Sequence, residues 1–135
     1  MSPQDCVTLL AGTTTFGRLA FESSTGQQLL PVNFVFRRGH VYFKTSPDST
    51  LAELAAGCSD VAFEIDCPDR LTQHGWSVLV KGMTREVAAA DVDLSPEETN
   101  PWAPPAPRPW APGAREVLIE LAPEQITGRR IRNVL

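Results

Sequence analysis

Short apolar runs separated by clusters of turn-forming residues recur along the chain, a pattern typical of β-strands. In 59–66, Val61, Phe63 and Ile65 alternate with smaller or charged neighbours, which predicts a strand with one buried face. The run at 29–36 is apolar apart from Asn33 and predicts a strand covered on both faces. The predicted strands are 17–22, 29–36, 40–44, 59–66, 76–87 and 116–121, with the first three forming a meander and Gly82 marking a bulge or bend.

Two segments carry helix signals instead. Residues 2–5, SPQD, combine a capping hydroxyl, a proline and an acid, and they predict a helix over 2–12. The segment 45–57 predicts a second helix in which Thr50 and Glu53 form a capping box, with Asp48 or Ser49 as the alternative cap one turn earlier. The remaining segments 67–75 and 126–135 are predicted to be a loop and a C-terminal tail.

The order of these elements favours a mainly β protein made of one domain over residues 1–135. Strands outnumber helices and follow one another through short turns, whereas parallel winding needs a crossover after each strand. We therefore expect a small antiparallel barrel with short helices plugging its ends.

A proline-rich segment interrupts the pattern at 101–112, where PWAP occurs twice. Proline removes backbone donors and fixes φ, so this segment is excluded from the interior of a sheet or helix. It carries Trp102 and Trp110, and exposed indoles are costly in a simple linker. We expect an arm that lays an aromatic ring over a ligand or partner, with a plain surface linker as the alternative.

Charge and cysteine content narrow the classes of partner. The net charge of −4 makes the chain a poor electrostatic partner for nucleic acid or an anionic membrane. Cys6, Cys58 and Cys67 are odd in number and widely spaced, which is neither a disulfide framework nor a zinc motif. The N-terminal residues lack a signal sequence, and no apolar run is long enough to span a bilayer. These features predict a soluble cytoplasmic protein.

The candidate chemistry is that of binding, because no catalytic triad, metal-ligand cluster or phosphate-binding loop is visible. The start of the second predicted helix, at 48–51, offers backbone N–H groups and hydroxyls that suit a phosphate, although they are equally explained as a helix cap. Polar and aromatic residues gather at the ends of the apolar strands: Asn33, Lys44, Thr45, Ser46, Ser49, Thr50, Trp76 and Ser77.

An ordered set of segments resembles the pyridoxamine 5′-phosphate oxidase-like family of flavin-binding split barrels. The set begins with GRLAFESSTGQQLLPVNFVFRRGHVYFKTS and continues with VAFEID, GWSVLVKG, PWAPG and ITGRRI. The resemblance covers nearly the whole chain. It implies a six-stranded antiparallel split β-barrel, a homodimer, and FMN bound at the dimer interface.

The resemblance also implies site residues. Pro31, Val32, Asn33 and Phe34 would run along the flavin ring, and the flavin edge would meet Trp76, Ser77 and Val78. The ribityl chain and phosphate would lie near Lys44, Thr45, Ser46, Ser49 and Thr50. Trp110 and Arg129 would come from the partner subunit. Many relatives carry a Lys or Arg where this chain has Thr50, and the C-terminal substrate motifs of true pyridoxamine phosphate oxidases are absent here.

The function that follows from the resemblance is that of an FMN-dependent oxidoreductase with a small-molecule substrate and no catalytic side chain of its own. The flavin would perform the redox chemistry, and the protein would position it. Two alternatives stay open: a reductase that uses a deazaflavin, and a non-catalytic protein that binds or stores flavin.

Overall fold

The computed structural model describes residues 1–13, 16–69, 71–94 and 116–132. They form one antiparallel sheet with a helix and two short 3₁₀ helices. The helices are α1 (Pro3–Gly12) and the 3₁₀ helices Thr50–Ala56 and Ala89–Asp91. The strands are β1 (Gly17–Ser23), β2 (Gly26–Val32), β3 (Val35–Arg37), β4 (His40–Thr45), β5 (Val61–Asp69), β6 (His74–Glu86) and β7 (Val117–Arg132).

Helix α1 confirms the prediction made from its first residues. Ser2 is the N-cap, and its side chain accepts from the backbone of Asp5 while the Asp5 carboxylate accepts from the backbone of Ser2. The helix buries Cys6 and Leu10 in the core. A Cβ at Gly128 of β7 would lie 2.6 Å from the sulfur of Cys6, so α1 sits directly against that strand.

The sheet order is β2-β1-β5-β6-β7-β4-β3, which corrects the predicted meander. The run 29–36 is not one strand, because the ladder breaks at Asn33 and Phe34. Its first part pairs with β1 and its second part pairs with β4, at opposite edges of the sheet. One nearly continuous stretch of chain therefore joins the two edges and closes a barrel, which has seven strands rather than the predicted six.

The burial of this stretch differs between its two parts. β2 alternates between exposed and half-buried residues, and Leu29 is 68% exposed, so the expectation of a strand covered on both faces is wrong for β2. It holds for β3, in which all three residues are buried.

The second predicted helix is shorter and tighter than expected. Residues 45–49 are not helical, and a 3₁₀ helix begins at Thr50 with Ser49 as its N-cap and no side-chain cap. The predicted capping box does not form, since the carboxylate of Glu53 instead accepts from the backbone N–H of Ser24, at 3.0 Å. The 3₁₀ helix thereby fastens to the β1–β2 turn and covers one end of the barrel.

Strands β5, β6 and β7 extend beyond their predicted limits. Residues 67–69 and 74–75, predicted to be loop, continue β5 and β6 as a hairpin. The predicted tail is also wrong up to Arg132, because β7 pairs with β6 as far as the Arg132–His74 position. The bulge at Gly82 is confirmed by a register shift between Lys81 and Gly82.

The core fills the barrel between α1 and the first 3₁₀ helix. Leu19, Phe43, Phe63 and Ile65 are each fully buried there. A smaller cluster on the outer side joins Val35, Tyr42 and Leu118, against which residues 87–94 pack. Within the described ranges, no helix combines the length and the hydropathy that crossing a membrane requires.

Candidate functional site

Within the described residues, no ladder joins the end of β2 to β4, because β2 pairs with β1 while β4 pairs with β3 and β7. The β3–β4 ladder pairs Val35 with Tyr42. Continued at the same offset, it would set Asn33 opposite Lys44 and Pro31 opposite Ser46. We call this gap, between residues 31–34 and residues 44–50, the seam.

Side chains alternate between the two sides of the seam. Pro31, Asn33 and Ser46 are exposed, and Lys44 is half-buried. Their neighbours in the chain face the core instead: Val32, Phe34 and Thr45 are 7%, 5% and 7% exposed. In both segments, every second side chain therefore faces outward and its neighbours face the core.

The polar groups at the seam are already engaged with one another. The Lys44 ammonium lies 3.3 Å from the carboxylate of Glu116. The hydroxyls of Thr45 and Ser49 share a hydrogen bond, and Ser49 also donates to the carbonyl of Ser46, at 2.8 Å. The predicted α-helical N-terminus is absent, so any anion here would depend chiefly on the lysine and the hydroxyls.

The other predicted residues lie on strands β6 and β7. Ser77 pairs with Asp66 on one side and with Arg129 on the other, so these three side chains form a row on the outer face. They line a cleft of about 590 Å³. Trp76 is half-buried and packs against the core, whereas Val78 is fully buried, so its side chain is not accessible to a ligand.

Charged residues that the sequence analysis did not single out surround this row. Arg18 of β1 lies 3.6 Å from Glu64 and 3.4 Å from Asp66. Burial, followed by the hydrogen bond and charge of Asp66, raises the pKa of Glu64 against the opposing effect of Arg18. Arg129, in contrast, has no hydrogen-bond or ion-pair partner within the described part of the chain, so its guanidinium is available to an anion.

The seam and the Arg129 row are far apart in one chain. Four strand spacings separate β2 from β7 through β1, β5 and β6, which is roughly 19 Å across the sheet. In the other direction, Thr45 pairs with Val117 at the start of β7, and Arg129 lies roughly 40 Å farther along that strand. Trp102 and Trp110 of the proline-rich segment lie outside the described residues.

A third polar region lies on the outer face of β4, β6 and β7. Glu120 is buried and accepts from the Tyr42 hydroxyl at 2.8 Å and from Nε of Arg85 at 3.0 Å. Burial opposes ionisation of Glu120, but the bonds from Tyr42 and Arg85 outweigh it and lower its pKa. Burial and the bond to Glu120 raise the pKa of Tyr42 to about 12. These groups line a cleft of about 450 Å³.

Comparison with known proteins fits this architecture. The family model described as pyridoxamine 5′-phosphate oxidase matches residues 2–130. The chain belongs to this family, and its fold is the family's split barrel, as the resemblance predicted.

The similar proteins include both solved structures and an uncharacterized relative. An FAD-binding protein from Mycobacterium smegmatis is 29% identical, with a TM-score of 0.74 and coverage of 98% of both chains. An FAD-binding protein from Mesorhizobium loti has the same fold at 22% identity, with a TM-score of 0.71 and coverage of 97% of this chain and 96% of its own. The uncharacterized protein Rv0080 of Mycobacterium tuberculosis is 28% identical over 90% of this chain and 78% of its own length.

Proposed function

We propose that the protein is a flavin-binding oxidoreductase whose site forms between two copies of the chain, with FMN as its cofactor. The observation that carries the proposal is the seam, where β2 and β4 are not paired and the accessible side chains are those of Pro31, Asn33, Lys44 and Ser46. The family and the FAD-binding relative at 29% identity support a flavin as the ligand.

The residues at the seam fit the phosphate end of a flavin. Lys44 supplies a cation, and Ser46, Ser49 and Thr50 supply hydroxyl donors within one short segment. Phosphate would compete with Glu116 for Lys44, because both are anions attracted to the same ammonium group. The ion pair is only partly exposed to solvent, so its attraction is not fully screened. Glu116 therefore lowers the affinity for phosphate. No basic residue at position 50 compensates for this, because position 50 is a threonine.

The homodimer follows from the separation of the two groups of residues. Counted through the sheet from β2, three strand spacings separate the seam from Ser77 and four separate it from Arg129 of the same chain. A second copy would bring its own Arg129 row to the seam. Each site would then take its phosphate-binding residues from one chain, and the Arg129 row of the other chain would cover the bound flavin. An isologous dimer would build two such sites.

The bound flavin would supply the hydride and electron transfer, while the chain binds it, orients it and excludes water. The two alternatives are a deazaflavin in the same site and a protein that holds flavin without turnover.

The visible spectrum of the purified protein, before and after addition of FMN, tests the proposal. We expect a flavin absorption band that stays with the protein on gel filtration and bleaches when NADH or NADPH is added without oxygen. A bound flavin that neither nucleotide reduces would favour storage. The absence of any retained flavin would contradict the proposal.

A further inference from the structure

The cleft of about 450 Å³ beside Glu120 contains an arginine that is bonded on one edge only, and we call it the Arg85 cleft. Nε of Arg85 donates to one oxygen of the Glu120 carboxylate at 3.0 Å, and the other oxygen accepts from Tyr42. The side chain of Arg85 is 69% exposed, and its two Nη groups have no hydrogen-bond or ion-pair partner among the described residues. The guanidinium is therefore anchored at Nε and keeps both Nη groups for a ligand.

The anchor fixes the direction of these two donors. Glu120 is buried and is also held by Tyr42, so its carboxylate stays in place beneath Arg85. A planar guanidinium that is anchored in this way loses less freedom when it binds an anion. Two parallel N–H···O bonds to one carboxylate are the geometry that its remaining edge matches. Arg85 is thus arranged to receive a carboxylate.

The segment 87–94 supplies an apolar wall that is fastened in place. Arg38 donates from Nη1 to the backbone carbonyl of Asp93 at 2.8 Å, and its Nη2 lies 3.2 Å from the carboxylate of the same residue. Val87 and Val92 line the cleft and pack against the outer apolar cluster. A ligand held by Arg85 would therefore meet branched aliphatic side chains as well as charge.

The charges around the cleft disfavour a ligand that is only an anion. Of the described residues that line the cleft, three are arginines and four are acids. Asp93 and Glu120 already have arginine partners. The carboxylates of Glu86 and Asp91 have no hydrogen-bond or ion-pair partner in the described part of the chain. They would repel a phosphate dianion, but they would attract an ammonium group carried beside the ligand's carboxylate.

We propose that the Arg85 cleft binds a small zwitterion, an α-amino acid with an aliphatic side chain. Its carboxylate would accept from both Nη groups of Arg85, and its ammonium would be attracted to Glu86 and Asp91. Its side chain would pack against Val87 and Val92. The volume of the cleft lies within the range of roughly 300–1,000 Å³ that is usual for small-molecule sites. None of these residues belongs to the proposed flavin site, so this proposal does not depend on the proposed function.

Three related compounds test the two charges of the ligand on the full-length chain. L-Leucine carries both charges, 4-methylpentanoate lacks the ammonium, and 3-methylbutylamine lacks the carboxylate. We expect both analogues to bind at least about tenfold more weakly than L-leucine, because each loses a charge-assisted contact. Titrations followed by the amide resonances of ¹⁵N-labelled protein measure the affinities. The absence of a saturable shift with L-leucine would overturn the site, and equal affinities for L-leucine and 4-methylpentanoate would overturn the zwitterion.

Two variants locate the ligand in the cleft. Arg85→Lys keeps a cation beside Glu120 but removes the paired Nη donors, and we expect L-leucine to bind about tenfold more weakly. Arg132→Lys is its control, because Arg132 is exposed near the end of β7. Asp91→Asn removes one exposed carboxylate and should weaken binding about threefold. Asp60→Asn is its control, because Asp60 is exposed and lies outside the cleft. Neither control should change the affinity.

Thermal unfolding without ligand separates binding from folding. Asp91 is exposed, so Asp91→Asn decides the test if Arg85→Lys does not fold. An affinity for L-leucine that equals the wild-type value in either folded variant overturns the proposal. A second copy of the chain that covers Arg85 would instead give a dimer that Arg85→Lys weakens and that does not bind L-leucine, and this result overturns the proposal too.

Discussion

Glu120 and Arg129 lie on the same long strand, yet their surroundings differ in kind. Glu120 is buried, and both of its carboxylate oxygens accept a hydrogen bond, one from Tyr42 and one from Arg85. Arg129 is exposed and has no polar partner within the described ranges of the chain. The polar groups around Glu120 thus satisfy one another within the folded chain, whereas the guanidinium of Arg129 is left without such a partner among the described residues.

This difference separates stability from binding. A buried carboxylate whose hydrogen bonds are satisfied stabilises the fold, and removing one partner has a cost even when no ligand is present. An exposed cation without a partner contributes little to the stability of the fold. It can contribute strongly to the binding of an anion that is held between two chains. The seam lies between these cases, since Lys44 has a partner in Glu116 that a phosphate could replace.

The largest effect is expected at Arg129. Arg129→Glu replaces an available cation by an anion, and we expect FMN binding to weaken roughly 100-fold, because both attraction and repulsion change. The midpoint of thermal unfolding without flavin should stay close to that of the wild-type protein. A flavin titration and a melting curve on the same preparation check both parts. A large drop in the stability of Arg129→Glu would mean that Arg129, like Glu120, stabilises the folded chain.

Lys44→Glu is expected to weaken FMN binding by at least about tenfold, since a charge-assisted contact is lost and the new carboxylate faces Glu116. The charge-reversed pair, Lys44→Glu with Glu116→Lys, separates the two causes because it restores the ion pair. It should recover stability while leaving FMN binding impaired. An unchanged dissociation constant in Lys44→Glu would move the phosphate away from the seam.

Tyr42→Phe should act on stability. It removes one hydrogen bond to buried Glu120, with an expected loss of about 1 kcal/mol in the free energy of unfolding at neutral pH. The raised pKa of Tyr42 means that its contribution is present below pH 10.0 and is lost as the pH rises to about 12. Urea unfolding at several pH values should show this alkaline loss in the wild-type protein and a smaller one in the variant.

The same carboxylate gives the opposite dependence at low pH. The pKa of Glu120 is lowered below 4.5, so its contribution is present above that value and is lost as the pH falls through the folded-state pKa. Tyr42→Phe removes one cause of the lowered pKa. Its acid-induced loss of stability should therefore be smaller than that of the wild-type protein.

The smallest expected effect is a gain. Glu116→Gln releases Lys44 from its ion pair, and we expect FMN binding to tighten by about threefold, in keeping with the modest energy of a partly exposed pair. Glu124→Gln is the control, because Glu124 is exposed on β7, the strand that begins just after Glu116, and it forms no ion pair among the described residues. Equal affinities in the wild-type protein and Glu116→Gln would mean that Lys44 is not at the phosphate.

Local chemistry made part of the fold predictable. The cap at Ser2 and Asp5 and the bulge at Gly82 depend on neighbouring residues, and both were predicted correctly. The second half of β7 was missed because Pro123, Glu124 and Gly128 are poor strand formers. Only the pairing with β6 makes them a strand, and that pairing is not visible in local sequence.

The candidate site shows the same division. Pro31, Asn33, Lys44 and Ser46 were predicted from the resemblance, and in the structure their side chains are exposed or half-buried. Arg18, Glu64 and Asp66 were not, because their contacts arise from the β1–β5 register. No spacing along the chain signals that an arginine at position 18 meets two carboxylates from β5.

Complementation between two defective chains tests most directly whether the site forms between two copies. The Lys44→Glu and Arg129→Glu variants, each expected to bind FMN more weakly, are unfolded together, refolded as a mixture and titrated with FMN. Random pairing makes half of the dimers mixed, each with one intact site, so roughly a quarter of the wild-type flavin should bind at wild-type affinity. A mixture that binds no more flavin than the separate variants would contradict the shared site, because the two residues would then belong to one chain's site or to none.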